Sequence, residues 1–452
     1  MKNYRPAYHY RASENWINDP CGLIQHQGVY HLYHQYNPHG DHWGDMHWGH
    51  AISEDLVHWR EQEIAMKPDA AHDEEHCFTG CGYHLPDGRP AFFYTSIDHR
   101  RDPEQWMALP EDDTLCDLVQ SRENAMTLAM HTPGMKVDEW RDPSILPYQD
   151  GYLMVLGCRL SIDDREPAGA ALLYTSRDGV HFTYHSVLAA ADGGEDHSWE
   201  CPNFFRIGDK HVLLFSPYRQ PFYMVGTLTE DLRFLPEGRG TLDEGGHEGY
   251  YAPQSFRDEQ GRQLIMAWMP ERSRGQWSGI KGWAGCMTLP REVYLDDNVV
   301  KMRVIPEVEG LVASSETGTL PLHSCKAGDQ FRIIMDAELD RDGCMTAEVL
   351  ATPDGAEKTI VSLHGDGRLV VDRRLSSLHT THHSLLERRV TLRDGKAHLE
   401  VYVDHSVIEA AGNDEWISTR VYPYREDAQL ATLSVRSGRG TYSLAQMNAC
   451  KK

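Results

Sequence analysis

The sequence predicts an all-β protein. Short runs rich in aromatic and β-branched residues recur between Asp-Gly and Gly-Asp turn signals. No alternation of strands with helices appears, which argues against a parallel α/β sheet. Clusters of strands carrying acidic motifs recur roughly every 60 to 120 residues. A propeller explains that spacing. Each blade is an antiparallel sheet, and the inner strands converge on a central channel, where carboxylates distant in sequence can meet.

The predicted strands follow in order. Val29–Tyr33, Ala91–Tyr94, Tyr152–Leu156, His211–Phe215 and Gln263–Ala267 are the apolar runs of the first part. Turn signals stand at Pro86-Asp87-Gly88, Gln149-Asp150-Gly151 and Ile207-Gly208-Asp209. The segment from Ile305 to Ser315 can hold a short linking helix. Beyond it, Val361–Leu363, Leu369–Val371 and Leu399–Val403 read as alternating strands of a sandwich.

Composition bounds the function. A hydrophobic content of 40% and a charged content of 25% are ordinary for a globular protein. No apolar run approaches the ~20 residues needed to span a bilayer. The first residues, MKNYRPAYHYRASENW, lack the apolar stretch of a secretory signal. Ten cysteines without a close framework of pairs suit reduced thiols. The expected location is cytoplasmic. The net charge of −24 argues against nucleic acid or an anionic membrane as partner. From Gly318 onward 17 basic side chains face 19 acidic ones, so nearly all the negative charge belongs to the first part.

Three acidic motifs carry the chemistry: Trp16-Ile17-Asn18-Asp19-Pro20, Trp140-Arg141-Asp142-Pro143 and Trp199-Glu200-Cys201-Pro202. Each sets a carboxylate near an aromatic ring and close to a proline. Two carboxylates flanking a bond are what glycoside hydrolysis needs, and a third can accept hydrogen bonds from sugar hydroxyls. Further motifs come in order: His34-Gln35-Tyr36-Asn37-Pro38, Trp43 to His50, Asp55 to Trp59, Phe78-Thr79-Gly80, Tyr251 to Phe256, Ala267-Trp268-Met269 and Leu289-Pro290-Arg291-Glu292. Val403 to Glu409 and Thr419 to Pro423 close the series. Together they resemble glycoside hydrolase family 32, the invertases, inulinases, levanases and sucrose-6-phosphate hydrolases, over nearly the whole chain.

The resemblance implies a five-bladed β-propeller over 1–305, a linker over 306–320 and a β-sandwich over 321–452. It implies a retaining hydrolase of β-D-fructofuranosyl bonds. Asp19 matches the nucleophile, Glu200 the acid/base, which must begin protonated, and Asp142 a transition-state stabiliser. Trp16, Asn18, Gln35, Trp43, Phe78, Thr79 and Arg141 match the substrate pocket. Plainer readings are turn or ion-pair carboxylates for the acids, core aromatics for Trp43 and Phe78, and strand-capping groups for Gln35 and Thr79. Asp404 and Glu409 match a sandwich motif read as structural or interdomain. No cofactor or metal is expected, and the partner is a small fructoside or fructan. Fructosyl transfer through the same residues, and a non-catalytic fructan-binding module, are the alternatives. The leaving group and the oligomeric state are left open.

Three positions depart from the family pattern: Cys21, Cys81 and Asn203. Asn203 replaces an aspartate, which removes a negative charge near Glu200. His72-Asp73-Glu74-Glu75-His76 matches an H-x-x-E-H zinc pattern, but that chemistry requires a helix presenting both histidines on one face, and no amphipathic run is present.

Overall fold

The computed structural model describes residues 4–132, 134–162, 166–192, 196–271, 282–379 and 384–450. The first part forms five antiparallel sheets arranged as propeller blades. Their innermost strands are Asn15–His26, His76–His84, Met135–Tyr148, Glu200–Ile207 and Tyr251–Arg257. Each touches the next, and the fifth returns to the first, so the ring closes on an axis. Closure is reinforced by Trp283–Ala284, which leaves blade 5 and pairs in parallel with Asn15 and Trp16 of blade 1.

The five apolar runs of the first part are the second strands of the five blades: Val29–Asn37, Pro90–Asp98, Gly151–Ile162, Lys210–Ser216 and Gln263–Met269. Each lies inside its sheet and is buried over most of its length. That is why they read as continuous hydrophobic stretches. The innermost strands mix polar with apolar residues, because part of each faces the axis.

Residues 306–320 contain a 3₁₀ helix, Pro306–Leu311, and a strand, Val312–Thr319. That strand pairs with the last one, Leu430–Met447, and so already belongs to the second sheet system. Ten strands build this system. Gln330–Ala351 pairs with Lys396–Asp404 through its first half and with Thr359–His364 through its second, with a register break between Leu339 and Cys344. Bent in this way, the sheet wraps as a sandwich over Phe331, Ile333, Met345, Val361, Leu399 and Leu433.

A buried polar network joins propeller, sandwich and N-terminal arm. Asp404 accepts hydrogen bonds from the backbone N–H groups of Ala7, Tyr8 and His9 at 2.7, 2.8 and 3.0 Å. The His9 ring bridges Asp404 and Glu409, each at 2.9 Å. Glu409 also accepts from Leu289 N at 2.8 Å and from the Arg291 guanidinium, which stacks 3.9 Å from the Trp416 ring. The interdomain role expected of Asp404 and Glu409 is therefore physical: they are the sandwich's acceptors for propeller and arm donors.

Burial works against a charged His9, but its two carboxylate hydrogen bonds outweigh that and raise the pKa to about 9. This stabilisation is complete below the ordinary value of 6.5 and is lost as pH rises through about 9. His9→Phe is expected to cost about 3–5 kcal/mol at mildly acidic pH, because two buried carboxylates lose a partner. Denaturant midpoints measure it. The gap to wild type should narrow once the solution is more basic than the His9 pKa; an unchanged gap would sink the argument.

Candidate active site

The innermost strands share a local irregularity. Each breaks register with its neighbour at 17–20, 77–80, 141–144, 200–203 or 251–254, and the first and third strands break it a second time at 21–24 and 138–141. Such bulges re-aim side chains. Four bulges contain a proline, Pro20, Pro143, Pro202 and Pro253, and Gly80 stands in the fifth. Proline lacks a ladder donor, so an interrupted ladder tolerates it. The third residue before each proline or glycine is an anchor: Ile17, Cys77, Trp140, Trp199 and Tyr250 are all buried. The second residue before it, Asn18, Phe78, Arg141, Glu200 or Tyr251, lines one axial cavity of ≈ 480 Å³. The residue between adds Asp19, Thr79 and Asp142 to the same walls. Asp142, Cys201 and Ala252, each just before its proline, are held at φ of 64°, 46° and 47°. Non-glycine residues there are strained, a feature that concentrates at functional sites.

All ten residues singled out from sequence line this cavity: Trp16, Asn18, Asp19, Gln35, Trp43, Phe78, Thr79, Arg141, Asp142 and Glu200. Trp43 is a rim residue, 52% exposed, and packs edge-on to Phe78 with the ring centroids 6.1 Å apart. Gln35 is buried and donates to Cys77 O at 2.8 Å. Asp19 Oδ2 accepts from the Thr79 hydroxyl at 2.8 Å and the Cys201 thiol at 3.5 Å. Burial first, then the charge of Glu200, raises the Asp19 pKa, while Thr79, Asn18 and Cys201 oppose the rise. Asp142 Oδ2 accepts from Cys201 N at 2.8 Å. Burial raises Asp142 to about 7, with Arg141 opposing and Glu200 and Asp19 adding to the rise. Glu200 is gripped at both oxygens: Arg141 donates to Oε1 at 2.8 Å and Tyr251 to Oε2 at 2.5 Å.

Four further wall residues are Tyr218, His247, Tyr251 and Trp268. Tyr251 occupies in blade 5 the place that Glu200 occupies in blade 4, two before the proline, so aligning the inner strands would find it. Trp268 packs edge-on to Trp16 at 5.6 Å. Tyr218 and His247 lie outside the strands and carry no sequence signal. Asn203 is not merely a lost charge. Its amide donates to Cys201 O and Pro253 O, both at 3.0 Å, and accepts from Ser255 N at 2.7 Å, latching blade 4 to blade 5. An ionised aspartate could not donate to those carbonyls. The H-x-x-E-H pattern is not on a helix face. His72 ends a 3₁₀ turn and meets Asp69 at 2.6 Å, while His76 begins a strand.

Because Asp142 binds its proton more tightly when folded, its ionisation costs stability progressively from pH 3.8 to about 7. Asp142→Asn removes that cost. The variant is expected to melt above wild type on the basic side of that range and equal to it on the acid side. Melting curves across the range test this; a difference independent of pH would contradict it.

The description "Glycosyl hydrolases family 32 N-terminal domain" matches residues 9–306, and "Glycosyl hydrolases family 32 C terminal" matches 302–450. A sucrose-6-phosphate hydrolase of Escherichia coli is 30% identical over 95% of this chain and 91% of its own length. A raffinose invertase of Escherichia coli is 31% identical over 94% and 91%. The crystal structure of a fructan 1-exohydrolase IIa from Cichorium intybus in complex with 1-kestose superposes with a TM-score of 0.83 at 25% identity, covering 99% of this chain and 98% of that one. Matched by both domain descriptions from His9 to Cys450, this chain belongs to glycosyl hydrolase family 32.

Proposed function

We propose that this chain hydrolyses β-D-fructofuranosyl bonds with retention, through a covalent fructosyl-enzyme. The observation that carries the reading is the meeting of Asp19, Asp142 and Glu200, from three different blades, in one cavity. The similarity to a sucrose-6-phosphate hydrolase, a raffinose invertase and a fructan 1-exohydrolase supports it.

In this reading Asp19 attacks the anomeric carbon. Its carboxylate is steadied by Thr79 and Cys201. Glu200 gives its proton to the leaving oxygen, and the bond from fructose to that oxygen breaks. Glu200 then takes a proton from water as the water attacks the fructosyl ester and frees Asp19. Arg141 and Tyr251 hold Glu200 in place for both steps. Asp142 faces the same space and binds fructose hydroxyls, protonated or ionised near neutrality. All ten cysteines are free thiols, which supports the cytoplasmic location. No helix among the described residues is long and apolar enough to cross a membrane.

The leaving group in this reading is uncharged. The leaving-group side is the side of Glu200, the proton donor. There Arg141 is shared between Glu200 and Glu139, and Tyr218 donates to Glu139 at 3.2 Å. A phosphate dianion would approach Glu139 against its charge. Arg100 and Arg122 pair with Asp73, Asp98 and Glu104, and none of these groups lines the cavity.

Asp19→Asn and Glu200→Gln are each expected to lower turnover at least ~10³-fold with folding intact, since acid/base help alone gives 10²–10⁴. Wild-type-like turnover in either folded variant would refute the assignment. For the leaving group, kcat/KM on sucrose should exceed that on sucrose 6-phosphate at low and at high salt. A preference for the phosphorylated sugar that fades as salt rises would reverse this reading.

A further inference from the structure

Far along the chain from the propeller's acids, the sandwich gathers three unlike donors. Glu316 lies on the strand Val312–Thr319, and His323 and Cys325 lie two apart on Leu322–Lys326. Alternation places His323 and Cys325 on one face. Both strands pair with the last strand, Leu430–Met447, so its curvature fixes their mutual position. One carboxylate oxygen, one imidazole nitrogen and the thiol sulfur lie within 4.8 Å of one another.

We propose that Glu316, His323 and Cys325 form a binding site for a divalent transition metal of the zinc class.

The orientation of His323 is the second observation. Its Nε2 meets Glu316 Oε1 at 2.9 Å, while Nδ1 meets the Tyr442 hydroxyl at 3.0 Å. The Tyr442 ring stacks on the imidazole at 4.5 Å and 22°. A ligating histidine typically donates its other ring N–H to an outer partner, which fixes tautomer and plane. Without metal the carboxylate can only accept, so Nε2–H donates to Glu316 and Nδ1 accepts from the Tyr442 hydroxyl. On binding, the ring proton shifts to Nδ1, which then donates to the Tyr442 oxygen, and the freed Nε2 lone pair on the Glu316 side takes the metal.

The donor set selects the metal. Thiolate and imidazole disfavour magnesium and calcium, which take oxygen ligands. Three protein ligands leave a fourth tetrahedral position open. Charge also balances: the carboxylate and a thiolate neutralise a divalent ion. Burial, then Glu316, raises the pKa of the Cys325 thiol. Binding therefore breaks the S–H bond, forms a metal–sulfur bond and releases that proton to solvent. A second cluster, Glu75, Asp98 and His99, has no thiol, and Arg100 already neutralises its Asp98.

The test is a cobalt(II) titration of the full chain, stripped of metal and kept reduced without thiols. One equivalent should give the near-ultraviolet thiolate-to-cobalt charge-transfer band and the visible bands of tetrahedral cobalt, and zinc should displace both. Cys325→Ser should abolish the charge-transfer band, and His323→Ala should weaken binding at least tenfold. Both variants should retain wild-type fructoside hydrolysis, which confirms that they fold. No charge-transfer band in wild type, or one unchanged in both variants, would overturn the proposal; the latter would place the metal on another cysteine.

Discussion

Three carboxyl groups share one confined cavity, and the positive charge set beside two of them, Glu200 and Asp142, is the guanidinium of Arg141. It reaches Glu200 at 2.8 Å, Glu139 at 3.1 Å and Asp142 at 3.9 Å. Buried like charges raise one another's pKa and, unopposed, would push a site of this kind toward neutrality. Arg141 opposes this, and burial is more than offset in its own case, since Glu200 and Asp142 keep its pKa well above the ordinary value. Its Nη2 lies within hydrogen-bond distance of Glu139, Glu200 and Tyr218, which share its two N–H groups, while Nη1 donates to the Glu139 carbonyl. A lysine would offer the charge without that geometry.

The position of Arg141 depends in turn on the closed ring. Five inner strands make the same deviation at the same level, yet deliver different chemistry. The anchor behind each bulge is large or fully buried, so the following two residues are pushed onto the axis whatever they are. The propeller thereby separates support from chemistry: Trp140 and Trp199 pack outward, Arg141 and Glu200 face inward. The positive φ values at Asp142 and Cys201 show that this re-aiming carries strain. Tight packing around those tryptophans and the Asn203 latch hold it in place.

The sandwich takes part in that support at a distance. The N-terminal arm is pinned by Asp404, and the arm leads directly into the strand that carries Asp19. Arg291 of blade 5 ends on Glu409 and on the face of Trp416. Removing the second domain would take both carboxylates from His9 and leave Arg291 with Asp243 alone. The two domains therefore form one stability unit: the sandwich has an apolar core of its own, but the propeller cluster around Leu32, Val212 and Leu264 runs on into Tyr402, Ala411, Trp416, Ala445 and Met447 of the sandwich.

The sequence by itself determined the all-β class, the second strand of every blade and the motifs that carry the three acids. Those strands were legible because burial on both faces leaves an unbroken apolar signature. The motifs were legible because each couples a buried anchor, a polar residue and a bulge proline within a few positions. Only the tertiary structure decided which polar groups meet. Tyr218 and His247 join the cavity through ring closure and loop course, neither of which has a local pattern. Asn203 read as a missing charge because its sequence neighbour is Glu200; its partners Pro253 and Ser255 come from the next blade. The linker stretch beyond Leu311 became a strand because a partner, Leu430–Met447, waits far along the chain. Hydrogen bonds between distant strands are set by closure of the whole fold, and no window of neighbouring residues contains that information.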